Sequence, residues 1–401
     1  MIELDDAWAQ LSAELWRPQD AESVPLDAAL GRVLSAPPKA PHAVPPFPAA
    51  AMDGYACAAS DLPQLLTTGL PVIGTAFAGT PWQGDLPPRT CLRIFTGAAV
   101  PPRCNTVLPQ EEVHREGDRI RASARLEGHR YVRPAGGDFP AETPIGQANQ
   151  RLTARHLGLF AAAGLSAVAC WRRPRVALLS TGDELAAPGA PLAWGQIHDA
   201  SRFLLPGALE ALPVELLGTW HCGDSMESLE HTLATMLEAE PDVLISTGGV
   251  SVGDADYLRP WLEARGTLRF HRLALKPGRP FTFGLLNERL AFFGLPGNPV
   301  SSYVTFLLLV APALRQLAGE CATPPLRLRG RLAEPLKKAP GRRDFQRAYF
   351  TTTENGFLVS SFPEQDSHLL SVLAEANCLL DLPLACGDLP AGTEVTFLPL
   401  S

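Results

Sequence analysis

Asp242-Val243-Leu244-Ile245-Ser246-Thr247-Gly248-Gly249-Val250-Ser251-Val252-Gly253-Asp254-Ala255-Asp256-Tyr257 is the stretch on which the reading of this chain turns. An apolar, β-prone run over 243–246 stops in a loop that holds Gly248, Gly249 and Gly253. Glycine has no Cβ to block a close approach, so such a turn after a buried strand lets backbone N–H groups converge on an anion. The carboxylates of Asp254 and Asp256 follow and can hold a hard divalent cation that bridges to the same anion. An ordinary strand-to-helix turn requires neither the paired glycines nor the paired acids. No Gly-Lys-Ser/Thr follows, and G-x-G-x-x-G is absent, which excludes two standard nucleotide loops. The expectation is a phosphate-bearing or oxyanion substrate handled with a metal such as magnesium.

The flanking sequence frames this stretch as one strand of an α/β sheet. From Pro174 onward short apolar runs alternate with amphipathic ones: strands at 176–180, 214–218, 243–246 and 268–273, and helices at 201–212 and 226–238. A hairpin is expected over 281–293 and a long helix from Val300. This alternation predicts a mostly parallel, doubly wound sheet, whose ligands sit beyond the carboxyl ends of the strands. Ser180-Thr181-Gly182-Asp183-Glu184-Leu185 ends another strand and is expected to face the same crevice, although the pattern also suits a helix cap. Lys276-Pro277-Gly278-Arg279-Pro280 sets two cations three residues apart in a stiff turn suited to an oxyanion, or a solvated surface turn. Leu295-Pro296-Gly297-Asn298-Pro299-Val300-Ser301 opens the long helix, where either unpaired N–H groups await an anion or a cap completes the helix.

Outside the α/β region the character changes. Residues 1–36 are expected to be helical, with one helix around Trp8, Leu11 and Leu15 and a second over 26–33. After the proline-rich run 37–48, residues 49–140 read as short strands between Gly and Pro turns, with no helical period. A helix is expected over 153–164. Beyond Pro324 and Pro325 the pattern is β again, suited to a small barrel or sandwich.

Composition sets the outer limits. The 401 residues are 46% hydrophobic and 19% charged, so a substantial core can form. A net charge of −8 argues against a nucleic-acid binder, which needs a basic face. No apolar run reaches the roughly 20 uncharged residues of a membrane span, and 300–317 reads as a buried helix. None of the 8 cysteines forms a C-x-x-C pair, which points to reduced thiols in a cytoplasmic protein and away from zinc. No two of the 9 histidines share ligand spacing on a helix face; they are read as structural or surface groups.

In this order the motifs resemble the molybdopterin molybdenumtransferase family, the MoeA type to which the gephyrin E domain belongs. The resemblance spans nearly the whole chain. It rests on Ala51-Met52-Asp53-Gly54-Tyr55-Ala56, Thr96-Gly97-Ala98, the segments 180–185, 247–257, 276–281 and 295–301, Gly195-Gln196-Ile197 with Asp199, and Pro340-Gly341-Arg342 with Phe345. It implies an enzyme of molybdenum cofactor biosynthesis that inserts molybdenum from molybdate into adenylylated molybdopterin and releases AMP, with Mg2+ as cofactor. Four domains are implied: a discontinuous helical one (1–40 with 141–172), an inserted β-rich one (41–140), a doubly wound α/β molybdopterin-binding one (173–322) and a C-terminal β barrel (323–401). A homodimer is implied, with each site between the α/β domain of one subunit and the β domain of the other, and contact with other cofactor-biosynthesis proteins.

Residue by residue, the resemblance assigns catalytic roles to Asp53, Thr96, Asp138, Glu184, Asp224 and Asp256, with Glu184 and Asp256 on the metal. Asp199, Gly248, Gly249, Ser251, Gly253, Lys276, Arg279, Pro296, Arg342 and Ser367 are implied substrate contacts. The chain departs from the family pattern at Arg279, where a lysine is usual, and along 131–138, which loses an amide, a cation and a carboxylate. A molybdopterin adenylyltransferase would need only the α/β domain, and a degenerate pterin-binding scaffold would bind without releasing AMP.

Overall fold

Asp242 anchors the strand that follows it. Its carboxylate accepts both terminal nitrogens of Arg172 at 2.9 and 3.0 Å and the backbone N–H of Arg175 at 2.8 Å. The strand Val243–Thr247, every residue buried, thereby starts level with its neighbour Arg175–Thr181. The computed structural model describes residues 1–16, 20–249, 257–321 and 324–400.

The central sheet has the strand order Glu215–Cys222, Arg175–Thr181, Val243–Thr247, Leu290–Leu295, Pro280–Leu286, Gly266–Arg272. The first four run parallel, the expected hairpin joins Leu290–Leu295 to Pro280–Leu286 antiparallel, and Gly266–Arg272 pairs antiparallel beyond it. Alternate side chains point to opposite faces of a strand. Val176, Leu178, Val243, Ile245, Ala291 and Phe293 enter the core on one face, while Ala177, Leu179, Leu244 and Phe292 enter the core on the other. Both faces are buried, as a sheet flanked by helices on each side requires.

The helix Leu4–Glu14 buries Leu4, Ala7 and Leu11 in the first of these cores, together with Leu314 and Leu317. The long helix Pro299–Leu317 is apolar and mostly buried inside the fold. Its middle, Phe306–Val310, widens by one residue per turn, and Ala311 N–H donates to Phe306 O. Pro312 has no N–H to return to Leu308, which accounts for the shift.

Residues 26–33 form no full helix: only Leu26–Ala28 makes a 3-10 turn. Gly31 then turns at φ +74°, and Val33 and Leu34 bridge to Arg151 and Cys170. Pairing with strand neighbours satisfies the backbone there in place of a helix. Strand Ala21–Pro25 pairs with Ala167–Trp171, and Phe160 of the helix Ala154–Ala162 fills their core.

The β-rich region is a six-stranded sheet, ordered Thr106–Pro109, Gly54–Cys57, Cys91–Ile94, Leu70–Ala76, Arg119–Arg121, His114–Glu116. It also contains a 3-10 helix, Ala59–Leu66, which buries Leu62 and Leu65 although no helical period marks it in the sequence. Toward the C terminus five strands close on themselves: Arg343–Thr353 pairs with both Gly356–Ser361 and Cys378–Leu382, and the circuit runs through Leu328–Leu332 and Glu394–Pro399. Closure removes every edge and selects the barrel over the sandwich.

Candidate functional site

The parallel strands end together. At their carboxyl tips lies a cleft of about 260 Å³, lined by Thr181, Gly182, Glu184, Asp199, Asp224, Gly248 and Gly249 among others. Glycine is required at several of these points. Gly248 has φ +82°, and a Cβ there would lie 2.7 Å from Thr181 Oγ1. Gly182 allows the Glu184 carboxylate to fold over it; a Cβ would sit 2.3 Å from Glu184 Oε2. Gly248 N–H donates to Leu295 O at 3.1 Å, so that group holds the loop to the sheet and is not offered to a ligand.

The carboxylates are fixed by backbone. Asp199 is buried, its N–H donates to Ala186 O at 3.0 Å, and its Oδ1 accepts Arg202 N–H at 3.1 Å, capping the helix Ser201–Glu210. Across two strand ends, the backbone N–H of each of Asp183 and Asp224 donates to the other's carboxylate. Burial beside them pushes the Cys222 thiol up to about 11, helped by the negative charges of Asp224 and Asp183, which keeps it protonated and unreactive at neutral pH.

Of the residues expected at the site, Glu184, Asp199, Asp224, Gly248 and Gly249 meet in this cleft. Ser251, Gly253 and Asp256 lie outside the described residues. Pro296 stands next to Gly297, which lines the cleft. The N-terminus of helix Pro299–Thr305 decides between the two readings of its opening: Asn298 Oδ1 accepts the N–H groups of Val300 and Ser301, at 3.1 and 3.4 Å, and Pro299 has none. The capped reading holds, because the side chain reaches those donors first.

Lys276 and Arg279 do not line the cleft but sit on a turn packed against its helix. A Cβ on Gly278 would lie 2.4 Å from Thr305 Cγ2. Lys276 Nζ lies 3.6 Å from Asp344 Oδ2 of the barrel, and strand Leu275–Lys276 pairs in parallel with Arg343 and Asp344. Arg342 follows Gly341, exposed, and Ser367 is half-buried in the barrel's 362–368 loop.

Asp53 and Thr96 meet each other elsewhere, in the β-rich region. Asp53 Oδ1 accepts Thr96 N–H at 2.8 Å and Thr96 Oγ1–H at 2.7 Å. The backbone bond, then the hydroxyl bond, hold the Asp53 carboxyl below its ordinary value. Asp138 is exposed, and its N–H donates to Val44 O. None of these three lines the cleft of its own chain.

His198 and Ser201 line the cleft as well, and neither was among the residues expected at the site. His198 neighbours Asp199 in the short strand Ile197–His198, paired with Leu185–Ala186; that proximity to a motif acid was the available signal. The described residues contain no group of three or more His, Cys, Asp or Glu able to hold a metal ion. Glu184 by itself does not make a magnesium site, and Asp256, the second acid expected there, lies outside the described residues.

Comparison with known proteins matches three family profiles in order: "MoeA N-terminal region (domain I and II)" over residues 2–164, "Probable molybdopterin binding domain" over 177–316, and "MoeA C-terminal region (domain IV)" over 329–400. A molybdopterin molybdenumtransferase of Haemophilus influenzae is 38% identical, covering 100% of this chain and 99% of its own. Molybdopterin molybdenumtransferase 2 of Mycobacterium tuberculosis is 33% identical over 96% of each chain. The solved molybdopterin biosynthesis moeA protein of Pyrococcus horikoshii superposes with a TM-score of 0.83 at 27% identity, covering 100% of both chains.

Proposed function

The chain belongs to the molybdopterin molybdenumtransferase family, and on that premise we propose that it inserts molybdenum from molybdate into adenylylated molybdopterin, hydrolysing the phosphoanhydride and releasing AMP. One observation carries this reading beyond family membership: Glu184, Asp199 and Asp224 meet Gly248 and Gly249 at the strand tips. The cleft suits the pterin substrate's phosphate end, with glycine surfaces allowing close approach and acids orienting hydroxyls and water.

In this proposal water attacks a phosphorus of the anhydride, the bond to the bridging oxygen breaks, and AMP leaves with one phosphate. Glu184 and Asp224 orient that water. Lys276, Arg279 and Arg342 neutralise the oxygens of molybdate and of the breaking anhydride, where preorganised charge lowers the barrier most. Ser367 donates to molybdate. Asp53, Thr96 and Asp138 serve the cleft of a second copy in a homodimer, a role supported by their exposure and by their absence from the cleft of their own chain. Magnesium on Glu184 and Asp256 belongs to the proposal as charge compensation, supported by the position of Glu184 on the cleft wall. The cytoplasm is the proposed location, supported by eight unpaired cysteines. Contact with other proteins of cofactor biosynthesis is proposed from family membership.

Incubation of the purified chain with adenylylated molybdopterin, with and without molybdate, and AMP followed by chromatography, tests the reading. AMP release that depends on molybdate is expected. No release, or release indifferent to molybdate, sinks it.

A further inference from the structure

A chain of polar contacts, buried at Gln346 and Asp344 and half-buried at Ser361 and Gln365, runs through the barrel wall from the Lys276 turn to the Ser367 loop. Lys276 Nζ lies 3.6 Å from Asp344 Oδ2, with 46% of the lysine side chain exposed and 6% of the aspartate. Gln346 Nε2 donates to the same Asp344 oxygen at 3.2 Å. Ser361 Oγ donates to Gln346 Oε1 at 3.0 Å and shares a hydrogen of Gln365 Nε2 at 3.2 Å with the nearer carbonyl of Phe362, at 2.8 Å. Gln365 is clamped to Arg347, accepting its N–H and donating to its carbonyl, both at 2.9 Å. Arg347 Nη2 donates to the carbonyl of Asp366 at 3.0 Å, immediately before Ser367. From Gln365 to Asp344 each donor points the same way, and the carboxylate that ends the run is the one beside Lys276.

Stability gives no reason for this arrangement. The Arg347 side chain is fully buried, and its Nε and Nη1 have no hydrogen-bond partner among the described residues. A buried charge with carbonyl partners alone costs more than an apolar side chain of similar volume. What the guanidinium does accomplish is to hold the 362–368 loop by its backbone.

We propose that Ser361, Gln346, Gln365 and Arg347 are positioning residues for molybdate, fixing the loop that carries Ser367 at a set distance from the turn that carries Lys276. The inference rests on the reading above, in which Lys276 and Ser367 both contact the oxyanion. A tetrahedral dianion gripped from two separate loops needs their spacing held to within a fraction of an ångström. The relay supplies that spacing across two domains with no contact to substrate.

Ser361→Ala cuts the relay in its middle, and Ser361→Thr keeps the hydroxyl. Molybdate-dependent AMP release is measured for both, with each substrate varied in turn. Ser361→Ala is expected to raise the KM for molybdate about tenfold, with kcat and the KM for adenylylated molybdopterin each within about twofold. Ser361→Thr is expected to restore the molybdate KM. Gln365→Met, which keeps the volume and removes the amide, is expected to repeat the shift. Combined with Lys276→Ala, Ser361→Ala is expected to add little, because both act on one contact. An unchanged molybdate KM in Ser361→Ala overturns the proposal, and so does a rise in both KM values together with a fall in Tm, the mark of general loosening. A wild-type chain that releases no AMP with molybdate overturns the activity reading itself, whereas an active wild type with an indifferent Ser361→Ala overturns only the relay.

Discussion

Asp183 and Asp224 hold each other's loops: Asp224 N–H donates to Asp183 Oδ1 at 3.1 Å, and Asp183 N–H donates to Asp224 Oδ2 at 3.3 Å. The exchange ties the end of strand Arg175–Thr181 to the end of Glu215–Cys222, and it is close enough that a Cβ on Gly223 would lie 2.5 Å from Asp183 Oδ1. Asp183→Ala is expected to free the Asp224 loop and lower AMP release at least tenfold, while stability falls by only about 1–2 kcal/mol, the worth of an exposed bond to a charged acceptor. Asp183→Asn, which keeps one acceptor, is expected to fall between. Kinetics beside a urea titration check both; an unchanged rate in Asp183→Ala removes the role assigned to this pair.

Gly248 combines a left-handed backbone with no room for a side chain. At φ +82°, a Cβ would lie 2.7 Å from Thr181 Oγ1 and 3.0 Å from Thr181 O. Gly248→Ala is expected to destabilise by about 1–3 kcal/mol from backbone strain and to abolish activity as the cleft shifts. Gly341→Ala serves as a comparison: φ is +108° there, with nothing within 4 Å of an added Cβ, so strain alone is expected. Thermal melts of the two variants separate strain from crowding.

The Asp53–Thr96 pair sets a pH dependence. Two hydrogen bonds favour the ionised carboxylate and depress its folded-state pKa below 3.8. A depressed acid contributes stability that is complete above its unfolded value and lost as pH falls through the folded one. Thr96→Val removes the hydroxyl bond and leaves the larger, backbone contribution. The Asp53 pKa, followed by carboxyl-carbon NMR, is expected to rise part of the way toward 3.8; no movement would show that the hydroxyl does not act on this carboxylate.

Arg343 bridges the first helix and the barrel. It donates from Nη1 to both Asp5 oxygens at 3.0 Å, and from Nε and Nη2 to Asp381 at 2.7 and 2.8 Å. The Asp381 side chain is 4% exposed and keeps Arg327 at 3.0 Å when Arg343 is removed. Arg343→Ala is therefore expected to cost about 2–3 kcal/mol, less than stripping a buried acid of its only partner. Asp5→Ala, at the exposed end, is expected to cost under about 1 kcal/mol. Denaturant midpoints decide; equal losses would mean that the bridge to the helix, and not the buried pair, is what stabilises.

The sequence by itself determined the strands and the candidate chemistry. Residues 243–246 were legible as buried strand, because a short apolar run with β-branched Val243 and Ile245, ended by adjacent glycines, suits a sheet covered on both faces. Adjacent glycines after it announced a tip where something comes close. Glu184 and Asp199 were legible because each sits at a strand end or in a quoted motif, whereas Asp224 came only from the family resemblance. What only the tertiary structure decided is which separate segments meet. The helix Leu4–Glu14 packs its apolar face into the α/β core. Strand Cys378–Leu382 closes the barrel. Lys276 finds Asp344, and through it the Ser367 loop. Local propensity is a property of neighbours in the chain, whereas these partnerships join residues up to several hundred positions apart, and only packing fixes them.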